Sequence, residues 1–84
     1  MSIQNLFAWE EIMDYIDRIK AEREDHDESQ RDIARALNMP QSQYQKYETR
    51  AVTLPIRYLV AICDHYKVSA DYLLGIPKNY RHPR

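Results

Sequence analysis

The run from Ser29 to Arg50, SQRDIARALNMPQSQYQKYETR, leaves the chain little freedom in how it folds locally. Ser29 can N-cap a helix, and Asp32 sits three residues on, where a capping-box acid belongs. Ile33, Ala34 and Leu37 then repeat at helical spacing and make one apolar stripe. Asn38 tolerates the left-handed conformation that ends helices. Pro40 stops the first helix and can open a second, over about 41–49. That second helix puts Tyr44 and Tyr47 on one side. Gln41, Ser42, Gln45 and Lys46 fall on other faces, with Gln43 at a margin. Gln and Lys are long donors, and a helix that carries them fits the major groove of duplex DNA. An ordinary solvated helical hairpin would present the same row.

At 84 residues the chain has room for one compact domain and little else. One Gly, four Pro and few β-branched runs argue for an all-α fold. Cys63 is the single cysteine, so no internal disulfide can form. No apolar run approaches membrane-spanning length and no secretion signal opens the chain, so the expected compartment is the cytoplasm. The formal net charge of −1 is unlike the basic footprint of a nucleic-acid binder. Its distribution changes that picture. Up to Glu28 there are nine acids against three bases, and from Ser29 onward nine bases against four acids. An acidic arm masks a basic body, and the basic body holds the polar helix.

From about Leu6 to Glu24 a three-four spacing of Trp9, Ile12, Met13, Ile16, Ile19 and Arg23 predicts one long helix. Residues 1–15 are read as an extension of it that packs on its own domain. Phe7 and Trp9 are alternatively a dimer contact, since aromatic side chains are enriched at interfaces. Asp25-His26-Asp27-Glu28 is a polar break, read as a solvated loop because consecutive ligands do not face one metal ion. Leu54-Pro55 opens a fourth helix with an inward stripe of Ile56, Leu59, Ile62, Cys63 and Tyr66. Ser69 caps a short fifth helix. There Tyr72, Leu73 and Leu74 close the core, and Gly75 ends the helix. Residues 1–75 thus form the domain, and 76–84 a flexible basic tail.

From about Ile16 to Gly75 the chain resembles the lambda repressor/Cro-like (XRE-type) helix-turn-helix domain of many small bacterial and phage regulators. The resemblance rests on Ser29-Gln30, on Ile33-Ala34-x-x-Leu37 and on the run Gln41 to Glu48. It rests also on Leu54-Pro55 and on Val68-Ser69-Ala70-Asp71-Tyr72-Leu73-Leu74-Gly75. Two positions depart from the family's pattern, since Asn38 and Arg50 stand where Gly is usual. The resemblance implies a five-helix lambda repressor-like fold, here with an N-terminally extended first helix. It also implies a transcriptional regulator that binds double-stranded DNA as a homodimer. Carried over position by position, it assigns base contacts to Gln41, Ser42 and Lys46, with Gln43 and Gln45 beside them. It assigns a phosphate contact to Gln30 and implies one near Arg57, while Arg31, beside Gln30, and Arg50 and Thr53, in the loop after the helix over about 41–49, are placed to reach the phosphate backbone by position and charge. The alternative on the same fold is an antitoxin or antirepressor-like protein-binding module. No phosphate-cradling Gly loop, nucleophile motif or metal-ligand spacing is present, so no catalysis, cofactor, metal or small-molecule ligand is expected.

Overall fold

The computed structural model describes residues 15–76, which form five helices in the order α1 (Tyr15–Asp25), α2 (Gln30–Ala36), α3 (Gln41–Glu48), α4 (Ile56–Tyr66) and α5 (Ala70–Leu74). The expected N-terminal extension, including Phe7 and Trp9, and the tail beyond Ile76 lie outside the described residues. Each helix buries one row. Ile16, Ile19 and Arg23 come from α1, Ile33 and Ala34 from α2, and Tyr44, Tyr47 and Glu48 from α3. Leu59, Ile62 and Tyr66 come from α4, and Leu73 from α5. Leu37, Met39 and Leu54, from the connections, complete the core. Tyr44, Ile19, Ile33, Ile62 and Leu73 are its most enclosed side chains. Burying one such side chain stabilises the fold by roughly 1.5–3 kcal/mol, so this small core is the main driving force.

Two expected core positions are on the surface instead. Ile56 is 72 % exposed and Tyr72 is 58 % exposed. Leu54, two residues before Ile56, is the side chain buried at that end of α4, and the inward row of Leu59, Ile62 and Tyr66 leaves Ile56 on another face. The five-residue α5 buries only Leu73, and the 100° step of a helix turns the neighbouring Tyr72 outward. Cys63 sits half-buried at the margin of the α4 stripe, and burial pushes its thiol above its ordinary range.

The helix starts follow the local code. Ser29 accepts from the Asp32 N–H, and Asp32 accepts from the Ser29 N–H, a complete capping box. Those bonds hold the Asp32 carboxyl below its ordinary range. Ser69 caps α5 through the Tyr72 N–H at 3.0 Å. Pro40 and Pro55 stand at the N-cap positions of α3 and α4.

The helix ends share one device. Asp27, Asn38, Arg50, Lys67 and Gly75 all have positive φ, between 56° and 75°, and each comes just after the end of a helix. After four of them the next N–H reaches back five residues, as in Glu28 to Arg23, Met39 to Ala34, Val68 to Cys63 and Ile76 to Asp71, at 2.9–3.0 Å. That is the Schellman closure, which satisfies carbonyls left open at a helix end. Arg50 therefore adopts the left-handed backbone that the usual Gly would supply. At Gly75 the Arg18 guanidinium lies against the open side of the backbone, 2.8 Å from where a Cβ would stand.

A side chain with a Cβ is strained in this conformation by about 1–2 kcal/mol, while Gly gives part of that back in chain entropy. Lys67→Gly is therefore expected to raise unfolding stability by roughly 0.5–1 kcal/mol, read from urea melts at unchanged m-value. A loss of stability would mean that the Lys67 stem contributes packing larger than the strain.

Candidate nucleic-acid interface

Helices α2 and α3 meet through a turn closed by Leu37 N–H to Ile33 O, Asn38 N–H to Arg35 O and Met39 N–H to Ala34 O. On α3, Gln41, Ser42, Gln45 and Lys46 are all exposed. The opposite side of α3 is locked. Tyr44 and Tyr47 are buried and meet edge to face at 6.5 Å, and Tyr47 packs against Tyr58 of α4 at 6.0 Å. Gln43 is half-buried and donates through Nε2 to the Tyr47 hydroxyl at 3.1 Å. Its amide is therefore engaged within the fold, unlike those of Gln41 and Gln45.

The orientation of α3 is set by a buried cluster that local sequence patterns do not reveal. The Glu48 carboxylate accepts four hydrogen bonds. Oε2 takes Arg23 Nε at 2.8 Å and the Tyr44 hydroxyl at 2.6 Å. Oε1 takes Arg23 Nη2 at 3.1 Å and Gln30 Nε2 at 3.0 Å. Arg23 also donates through Nη1 to the Glu28 carbonyl at 2.8 Å. One carboxylate thus joins α1, α2 and its own helix. Burial acts to raise the Glu48 carboxyl, but the bonds from Arg23, Tyr44 and Gln30 outweigh it and hold the group below the usual carboxylate range. The hydrogen bond to Glu48 raises Arg23 in turn. Burial first, and then the bond to Glu48, push the Tyr44 phenol well above its ordinary range. The one signal in the sequence is Arg23, a charge standing in the apolar row of α1.

The polar break before α2 is also more than a solvated loop. Glu28 is half-buried. It accepts from the Tyr66 hydroxyl at 2.9 Å and lies 3.0 Å from His65 Nε2. The rings of His26 and His65 flank Tyr66 at 4.8 and 4.6 Å. Asp25, His26 and Asp27 are exposed as expected.

Of the residues assigned to phosphate, Arg31, Arg50, Thr53 and Arg57 are exposed and Gln30 is half-buried. Gln30 is the first residue of α2, with one amide N–H committed to Glu48. Arg50 pairs with Asp17 of α1 at 3.1 Å on the open surface, a contact worth little in solution. Arg57 lies over the Tyr58 ring at 4.7 Å. A shallow open recess beside the turn is lined by Arg31, Arg35, Asn38, Pro40 and Gln41. Among the described residues no group of three or more His, Cys, Asp or Glu is placed to hold a metal ion. No described helix is long and apolar enough to cross a membrane.

A family model described as helix-turn-helix matches residues 19–73, a span that takes in α2, the turn, α3 and the packing helices around them. The chain belongs to the Cro/C1-type helix-turn-helix family. Its five described helices have the lambda repressor-like arrangement, and the family is one of DNA-binding transcription regulators that are typically non-enzymatic. No curated protein and no solved structure shows significant similarity to the chain.

Removing one partner from a buried ion pair typically costs about 3–5 kcal/mol, because the other charge stays behind. Glu48→Ala should therefore lower Tm by more than about 10 °C in a domain of this size, while a double change of Arg23 and Glu48 to Met should cost less than the single one. The pH dependence has a definite sign. A carboxyl held below its ordinary range contributes stability that is present above about pH 4.3 and lost as pH falls toward its folded value. The acid-induced drop in Tm should be smaller in Glu48→Gln than in the wild type. A Glu48→Ala melt that matches the wild type would exclude the cluster as a structural anchor.

Proposed function

We propose that this protein is a sequence-specific regulator of the repressor type that reads double-stranded DNA in the major groove with α3. The observation that carries this reading is the division of α3 into two faces. Tyr44, Tyr47 and Glu48 are fixed in the interior, and Gln41, Ser42, Gln45 and Lys46 stand free outside. A Gln can pair bidentately with adenine, and a Lys can donate to guanine. Gln43, tied to Tyr47, is a secondary contact in this arrangement.

Gln30 supports the docking. Its side chain is held by Glu48, which leaves its second amide N–H to donate to a phosphate oxygen. Helix starts favour anions through their open N–H groups and dipole. Arg31, Arg50 and Thr53, all exposed, add contacts that set position rather than sequence. The action is steric: an occupied promoter excludes polymerase, or a neighbouring contact recruits it. One short helix reads only a few base pairs, so two copies on two half-sites about one helical turn apart are part of the proposal.

Selection from a random duplex pool tests it, with titration of the selected site against unrelated DNA at near-physiological salt. The expected outcome is a two-fold-related motif bound on the order of a thousandfold or more above unrelated DNA. Gln41→Ala with Lys46→Ala should remove that preference and leave the melting curve in place. Recovery of no motif, with weak binding that vanishes at modest salt, would reject the regulator and leave the fold as a scaffold for a protein partner.

A further inference from the structure

Gln43 stands at the edge of the α3 donor row, and its bond to Tyr47 admits two readings. A buried phenol needs a hydrogen-bond partner, and any polar neighbour would serve. The geometry goes further. Tyr47 is buried, its ring meets Tyr44 edge to face at 6.5 Å, and it packs on Tyr58 at 6.0 Å. The hydroxyl it offers is therefore a fixed point, about one helical turn beyond Gln43. Gln43 donates to that point through Nε2 at 3.1 Å. It is half-buried rather than enclosed, and Ser42 and Lys46 beside it on the helix are exposed.

A Gln amide carries one acceptor oxygen and two N–H donors. Tyr47 takes one N–H and leaves one acceptor and one donor, neither with a partner among the described residues. Adenine shows the complement in the major groove, with its N6 donor beside its N7 acceptor. Guanine shows two acceptors, O6 and N7, and would set one of them against the Gln43 oxygen. Gln41 and Gln45 can offer the same two groups, but both are exposed and no side-chain hydrogen bond among the described residues holds them. A long side chain held before DNA arrives loses less freedom on contact, so its pairing is stronger for the same bonds.

We propose that Tyr47 is a positioning residue for base reading, whose hydroxyl presets Gln43 to pair with an adenine at the edge of the contacted base pairs. The proposal rests on the regulator reading and deepens it by naming a residue that sharpens its specificity. Tyr47 acts through Gln43 and touches no base.

Two measurements on the full chain test it. In the free protein, NMR of the side-chain amides should show the Gln43 Nε2 protons exchanging with water more slowly than those of Gln41 and Gln45. Tyr47→Phe, which removes the hydroxyl and keeps the ring, should erase that difference and leave the melting curve in place. Selection from random duplex DNA is then run on the wild type, Tyr47→Phe, Gln43→Ala and the double variant. Gln43→Ala should remove an adenine preference at one position of each half-site, on the order of tenfold or more. Tyr47→Phe should weaken the preference at that same position by roughly two- to tenfold, leave the other positions unchanged, and add nothing to Gln43→Ala. A merely structural role for Tyr47 would lower affinity evenly across positions, or act on top of Gln43→Ala, and either result overturns the proposal. So does a wild-type Gln43 amide that exchanges as fast as those of Gln41 and Gln45. The two readings fail distinguishably. A wild type that selects no motif rejects the regulator and this role for Tyr47 together. A wild-type motif that Tyr47→Phe leaves unchanged rejects the role of Tyr47 alone.

Discussion

The arrangement of α3 depends on one buried anion. Glu48 lies in the interior with both carboxylate oxygens doubly occupied, by Arg23, Tyr44 and Gln30. Desolvating a carboxylate and a guanidinium is costly, and their attraction offsets that cost only when the remaining hydrogen-bonding positions are filled. Here they are filled. An apolar contact tolerates small slides and rotations, whereas four short bonds of fixed direction do not. Three of the helices must therefore take one mutual orientation for the cluster to close. The exposed row of α3 inherits that precision, because Tyr44 and Glu48 are one turn apart on the same helix.

The helix ends work in the opposite sense. Four of the five left-handed caps lack Gly, so at each of them the local backbone prefers another conformation. The turns persist because the chain beyond them is anchored in the fold. Met39 is buried directly after Asn38, and Leu54 is buried beyond the Arg50 loop. Glu28, after Asp27, is tied to Tyr66 and His65 across the fold. Tertiary packing holds these turns against their local preference, and the core and the turns are therefore thermodynamically coupled.

This division explains which features are legible from residues alone. The Ser29–Asp32 box, the Asn38 turn, the Pro40 boundary and the Ser69 cap act over five residues or fewer, and all are readable as short patterns. The exposed set on α3 is readable as well, since Tyr44 and Tyr47 fix the phase of the helix. The Arg23–Glu48 and Glu28–Tyr66 contacts join residues 25 and 38 positions apart, and no spacing rule reaches that far. Ile56 and Tyr72 mislead for a related reason. Their residue types mark them as core, but Leu54 and Leu73 occupy the buried positions beside them. Competition between neighbours for the same space leaves no trace in a spacing pattern.

The charges look different once the fold has sorted them. Arg23 and Glu48 neutralise each other in the interior and contribute little outward field. Asp32 faces its own helix cap, and Asp17 is drawn to Arg50. Around α2 and α3 that leaves Arg31, Arg35, Lys46 and a half-compensated Arg50 as the exposed cations. Among the described residues, so few cations around α2 and α3 would release few counterions there on DNA. Under the proposed function, affinity then rests more on the donor row of α3 than on charge. For the proposed function a charge-poor α2–α3 surface favours discrimination, because weak background binding on unrelated DNA competes less with a specific site.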